Sequence, residues 1–206
     1  MMKTTLIHHT KRTMRVVVLT SLTLVTVTAY SQQAAAQGAP PAPKPAIELE
    51  RLKPLEGHWT CHGVVPAGAT GTGSPERKYA SAFTIGPTLN GFAFTIAYEQ
   101  KESTPSYSGA WSVAWDGAQK KLLFFWLDNV GNVGLETAED WHGDLLVVQG
   151  EGFVPPGFVP AAVAGTAGFR DTFTRKSDKV IHWKGELKLH GMDTWTTIGD
   201  DECIKI

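Results

Sequence analysis

The stretch Leu55-Glu56-Gly57-His58-Trp59-Thr60-Cys61-His62-Gly63-Val64-Val65 decides how this chain is read. A Gly-x-Trp opening runs into a segment where residues two apart share a face, as strand geometry requires. Trp59 and Cys61 fall on one face and His58, Thr60 and His62 on the other. Only one other cysteine exists, Cys203, three residues before the last. Paired, the two staple the first strand of a domain to its last; the alternative is two separate buried thiols. A Cys61–His62 catalytic pair is poor geometry, because strand neighbours point to opposite faces.

The alternation recurs outward from this stretch. Phe92, Phe94, Ile96 and Tyr98 share one face against Gly91, Ala93, Thr95 and Ala97, and Trp111, Val113 and Trp115 oppose Ala110, Ser112 and Ala114. Large residues on one face and small ones on the other suit a curved barrel wall. Residues 77–85 form the strand before these, and Gly86-Pro87 is expected to end it. Asp116-Gly117 is a hairpin signal. Residues 121–127 are apolar on both faces, which predicts a strand covered on both sides. Residues 133–141 read as a weaker, edge-like strand, and 145–149 follow the turn His142-Gly143-Asp144. Residues 151–168 break the rhythm with Phe153, Val154, Pro155, Pro156, Phe158, Val159 and Pro160, and are expected to form a long loop at the barrel mouth or a plug over one end.

Residues 169–175, 180–190 and 194–204 finish the set. In the middle one, Ile181, Trp183, Gly185, Leu187 and Leu189 face in, while His182, Lys184, Glu186, Lys188 and His190 face water. A helical turn over 47–54 puts Leu49, Leu52 and Leu55 on one apolar face. About nine or ten strands with frequent turn signals predict an all-β fold, a single antiparallel up-and-down β-barrel.

Composition agrees. A chain of 206 residues with 42% hydrophobic content has room for one well-filled core, and 21 glycines and 12 prolines favour strands and turns. The net charge of −1 is scattered, which argues against nucleic acid as a partner. Residues 1–36 have the layout of a secretory signal: Lys3, Lys11, Arg12 and Arg15, then the apolar run 16–29, then Ala34-Ala35-Ala36. The run is short for a membrane span, and Met14 is an alternative start. Residues 37–50 form a Pro-rich linker and 51–206 the barrel domain. The expectation is a periplasmic or secreted protein with no stable membrane span once the signal is removed.

Several short motifs, in order, are similar to those of exported bacterial domains of unknown function related to lipocalins and nitrobindin, that is, to calycin barrels. They are Leu52-x-x-Leu55-x-Gly57-x-Trp59, Leu89-Asn90-Gly91-Phe92, Trp115-Asp116, Trp126-x-Asp128 and Gly143-Asp144. The resemblance covers about residues 51–206 and implies a closed barrel able to hold a small apolar or lipid-like molecule. Nitrobindin-like relatives bind haem through a late-strand histidine. Here Cys61 and His62 interrupt the opening motif, and His190 alternates onto the polar face, so haem is not expected.

The histidines do not make a metal site by spacing. His58 and His62 share a face but lie roughly 13 Å apart along a strand. Asp171 alternates with Phe169 and Phe173, opposite Arg170 and Thr172. Either Asp171 sits among inward aromatics and requires a partner or a proton, or Arg170 turns inward to meet an acidic head group; a structural ion pair is a third reading. The candidate ligand-binding residues are Trp111, Trp115, Phe124, Trp126, Arg170, Asp171 and Trp183, with Cys61 and Cys203 as the disulfide and no catalytic or metal-binding residue. The favoured function is non-enzymatic binding of a small hydrophobic ligand. The alternative is an enzyme on the same barrel, haem-dependent or using acid/base chemistry at an interior Asp or Arg.

Overall fold

The computed structural model describes residues 41–101, 106–156 and 165–206. The expected signal peptide and residues 37–40 of the expected linker lie outside the described residues, as do 157–164 of the expected mouth loop. Residues 44–206 form one unit.

Ten antiparallel strands close on themselves: β1 (Gly57–Val65), β2 (Arg77–Thr88), β3 (Ala93–Lys101), β4 (Tyr107–Asp116), β5 (Lys121–Asp128), β6 (Val133–Ala138), β7 (Leu145–Val154), β8 (Gly165–Ser177), β9 (Val180–Leu189) and β10 (Thr196–Lys205). Each strand pairs with its sequence neighbour, and β1 pairs with β10 to seal the wall. At that seam Cys61 lies opposite Cys203, and the two form a disulfide. Closure leaves no open sheet edge, so β6, read as edge-like, pairs with β5 on one side and β7 on the other.

A short 3₁₀ helix (Ile47–Leu55) precedes the barrel and plugs one end. Leu49, Leu52 and Leu55 are all 3% exposed or less and pack with Trp59, Ile85, Leu122 and Ala138 in the main apolar core. Pro54 ends any continuation, and indole donors fix the carbonyls that such a short helix leaves open. Trp59 Nε1 donates to Leu55 O at 2.8 Å and Trp141 Nε1 to Arg51 O at 2.9 Å. Replacing Leu52 by alanine empties a fully buried position and is expected to cost about 3 kcal/mol. A urea midpoint unchanged by L52A would show that the plug is not part of the cooperative fold.

Three strand readings require correction. Gly86-Pro87 does not end β2, which runs to Thr88. Pairing of β2 with β1 stops at Ile85, whereas pairing with β3 continues through Pro87 and Thr88. Pro87 thus sits where one flank of β2 has no partner, so its missing N–H costs nothing there. Residues 151–168 are mostly strand: β7 reaches Val154, β8 begins at Gly165, and the two pair over that whole length. The connection shrinks to 155–164. Finally, β5 is not covered on both sides. Leu122, Phe124 and Trp126 are buried, but Phe125 and Leu127 on the outer face are 47% and 50% exposed. Their cross-strand neighbours Leu135 and Val133 are also exposed, as is Phe153 beyond Val133, giving an apolar strip on the outer wall.

Inside, broad rings lie on bare backbone. A Cβ on Gly134 would fall 2.7 Å from the Trp126 indole, and one on Gly185 would fall 2.7 Å from the Trp183 indole. Glycine lets Trp126 lie against the neighbouring strand β6 and lets Trp183 lie back along its own strand β9.

Candidate functional site in the barrel lumen

The inward faces divide the lumen into zones. Next to the plug is the main apolar core. Towards the other end a second cluster joins Trp126, Val154, Ala167, Phe169 and Leu187, with Trp111 packed against it. Trp126 and Phe169 meet edge to face at 4.6 Å between ring centres. Polar side chains sit between and beside these clusters.

Of the expected ligand-binding residues, Trp111, Phe124, Trp126, Asp171 and Trp183 share the inward surface of β4, β5, β8 and β9. Trp115 is also inward but lies at the plugged end, under the Arg51 guanidinium at 5.4 Å. Arg170 does not turn inward. It is on the outer wall, where its Nε donates to Glu186 Oε2 at 2.7 Å and its guanidinium lies 4.4 Å from the Trp195 ring centre. Strict alternation with inward Phe169, Asp171 and Phe173 forces this, so the reading of Arg170 as an internal head-group receptor is withdrawn. Glu186, read as facing water, is indeed outward but is buried by the two cations that flank it, Arg170 and Lys184. The arginine holds its carboxyl below the usual range.

Asp171 accepts one hydrogen bond, from Trp183 Nε1 at 3.1 Å. It also lines a small internal void of about 10 Å³ with Trp111, Phe124, Val148 and Trp183, enough for about one water. The protein surrounds the carboxyl on all sides, and the surface it keeps accessible faces inward. Burial pushes it up to about 7.

Glu136 was not among the expected residues. It projects inward from β6 and is 1% exposed. Burial, and next the negative charge of Asp171, push it up to about 10. Its strand partner on β7 is Gly150, and Asp171 lies on the strand beyond. Gly150 pairs in turn with Phe169 on β8, while Asp171 pairs with Val148 two residues along β7. The Trp126 indole N–H stands beside the Glu136 carboxyl and works against that rise, in a contact that falls short of hydrogen-bond geometry. The sequence signal is inverted on this strand: Val133 and Leu135 point out, while Gly134 and Glu136 point in.

The other inward carboxylates are satisfied. Tyr79 Oη donates to Asp201 Oδ1, and Ser81 Oγ donates to Asp201 Oδ2 at 3.0 Å. Asp128 accepts from Tyr107 Oη at 2.9 Å and from the backbone N–H groups of Val130 and Asn132. These are structural ties at the lumen wall.

The described histidines lie on the outside or in turns. His58 is bonded to Thr84, His182 to Asp200 at 2.6 Å, and His62, His142 and His190 are exposed. Among the described residues, the one close group of metal-type ligand atoms is Cys61, Asp201 and Cys203, and its two sulfurs are bonded to each other. A recess of about 820 Å³ lies outside the barrel, along a wall that includes Gln149, Lys188, His190 and Trp195. It is open and lined by ordinary surface polar groups, without an orphaned buried atom among them. The lumen carries the chemistry instead.

No protein-family model matches this sequence, and no curated protein matches it.

Proposed function

We propose that this protein is an exported, non-enzymatic barrel of calycin type that holds a small molecule in its lumen, between the plug-side core and the Trp126–Phe169 cluster. One observation carries the reading. Trp111, Asp171 and Trp183 point into the lumen, yet each keeps part of its surface accessible. A barrel filled only for stability would bury such side chains completely. Aromatic walls with a few fixed polar groups are the ordinary lining of a small-molecule site. Export is supported by the seam disulfide, which persists in oxidising compartments. Among the described residues no helix is long and apolar enough to cross a membrane. The voids against Asp171 and Trp59 are about 10 Å³ each, room for about one water, so a larger occupant enters only by displacing side chains. Haem finds no lumenal histidine among the described residues.

Native mass spectrometry of the protein purified from its own exported fraction tests this. A retained mass of a few hundred daltons or less is expected. A protein that is consistently ligand-free and rejects a small-molecule panel would leave a barrel serving only as an interaction module.

A second reading has one observation behind it: Glu136 and Asp171 are neighbouring buried carboxyls with raised and unequal proton affinities, as in acid/base sites. Under it, the retained molecule is converted, and the conversion stops in D171N.

A further inference from the structure

The geometry of the outer wall points to a symmetric dimer: we infer that the apolar strip on β5 and β6 is its contact face, with a second copy of this chain as the occupant. On the outward side of these strands, Phe125, Leu127, Val133 and Leu135 are between 36% and 51% exposed. The inward positions between them are taken by Phe124, Trp126, Gly134 and Glu136, so alternation holds the four apolar side chains out of the core. Contiguous exposed apolar side chains of this kind mark contact surfaces. The face lies outside the barrel and stands whether or not the lumen is occupied.

The adjoining lane is its complement. On the outward side of β3 and β4 stand Thr95, Ala97, Ala110 and Ser112, all short and all exposed. Strand register sets the two lanes in common rows. One row runs Ala97, Ala110, Leu127, Val133, and the next runs Thr95, Ser112, Phe125, Leu135. A two-fold axis parallel to the strands, along the line between β4 and β5, exchanges β4 with β5 and β3 with β6. It lays Leu127 on the partner's Ala110 and Val133 on the partner's Ala97. In the next row Phe125 lies on the partner's Ser112 and Leu135 on the partner's Thr95. Each tall side chain thus enters the space above a short one, which is how facing sheets pack closely.

Charge favours a copy over other occupants. None of these side chains ionises, so two copies meet here without like-charge repulsion, and the net charge of −1 on each chain adds little. Glu151 continues the second row beyond Leu135, on β7. The same axis carries it over β2 of the partner, where the residue in that row is Gly86, so it meets no acid. A lipid surface calls for basic residues around such a patch, whereas Glu99 and Glu151 flank it. The curved wall confines contact to about four strands, less than a permanent interface uses, so the dimer is a weak one.

Sedimentation velocity of the folded, oxidised protein, from low micromolar to near-millimolar concentration, tests this. A reversible monomer–dimer equilibrium is expected. L127E and A110R each place a charge in every contact and are expected to weaken the dimer tenfold or more. Both positions are exposed in the single chain, so neither change disturbs the core. The two variants are then mixed. In a mixed dimer the carboxylate introduced at 127 meets the guanidinium introduced at 110, and the other half of the contact is unaltered. Association at least tenfold tighter than that of either variant alone is expected. Wild type that stays monomeric throughout, dimers that L127E and A110R leave unchanged, or a mixture no tighter than its parts overturns the inference. Monomeric protein that sediments with phosphatidylcholine–phosphatidylglycerol vesicles, and does so less in L127E, assigns the strip to a lipid surface and overturns it as well.

Discussion

Replacing Cys61 and Cys203 together by alanine lowers the stability of the barrel by about 4 kcal/mol, the largest loss expected from any change at the seam. The bond joins residues 142 apart in sequence, so it closes almost the entire barrel chain into a loop and removes much of the freedom of the unfolded state. It does so at directly opposed positions of β1 and β10, the pair of strands with the greatest sequence separation. Without it the same pairing must form from the chain's two extremes, which slows folding as well. Both cysteines are buried in the main core beside Trp59 and Ile181, so alanine also leaves a small packing defect. Urea unfolding of the oxidised wild type, the reduced wild type and the double variant checks this. Reduced protein and variant should shift together to lower midpoints. An oxidised protein no more resistant than the reduced one would mean that the seam is held by its hydrogen bonds and packing alone.

The second large effect is on pH dependence. Glu136 titrates near the usual carboxylate value in the unfolded chain and at about 10 in the folded protein; for Asp171 the folded value is about 7. In both cases the folded state holds its proton more tightly. Between the unfolded and folded values the unfolded chain binds fewer protons, so stability falls as pH rises. Each group contributes up to about 1.4 kcal/mol per pH unit inside its window. From pH 5.5 to 8, Glu136 acts throughout and Asp171 up to about 7, for a combined decrease of about 3–5 kcal/mol. The surrounding groups do not reverse the sign. Glu186 is lowered, so its contribution is lost only at acid pH, and burial holds the Tyr79, Tyr98 and Tyr107 hydroxyls above their usual range. Asp201 is raised chiefly by burial and adds in the same direction.

Glu136→Gln keeps the shape and removes the ionisation. It should raise the urea midpoint strongly at pH 8 and by much less at pH 5.5, and flatten the slope between them to what Asp171 retains. A wild type as stable at pH 8 as at pH 5.5 would show that both acids ionise at no cost and that water or an unseen partner reaches them.

Much of the wall was legible in the sequence because strand alternation carries it. Trp59 with Cys61, Trp111 with Val113, and Ile181 with Trp183 all face in as their spacing requires, and β4 spans the residues expected of it. Asp171 was legible for the same reason: Phe169 and Phe173 on either side fix its direction. The misreadings share a cause. Periodicity gives the two faces of a strand but names the inner one only through polarity, and β5 and β6 are apolar where they meet water. Phe125 and Leu127 were therefore credited with a cover they do not have, and Glu136 was passed over on a strand whose apolar residues point out. Gly86-Pro87 and the stretch 151–168 were read as breaks, but pairing carried β2 to Thr88, β7 to Val154 and β8 from Gly165.

The sequence alone thus determined the all-β class, the direction of each side chain relative to its strand neighbours, and the two residues available to lock the seam. Those are local properties, set by a two-residue repeat and a count of cysteines. Only the tertiary structure decided that the sheet closes after ten strands, that Arg170 is engaged on the outer wall, and that Glu136 is buried on the inward face of β6. Register and closure depend on pairings between strands far apart in the chain, and the lumen exists only once those pairings are made.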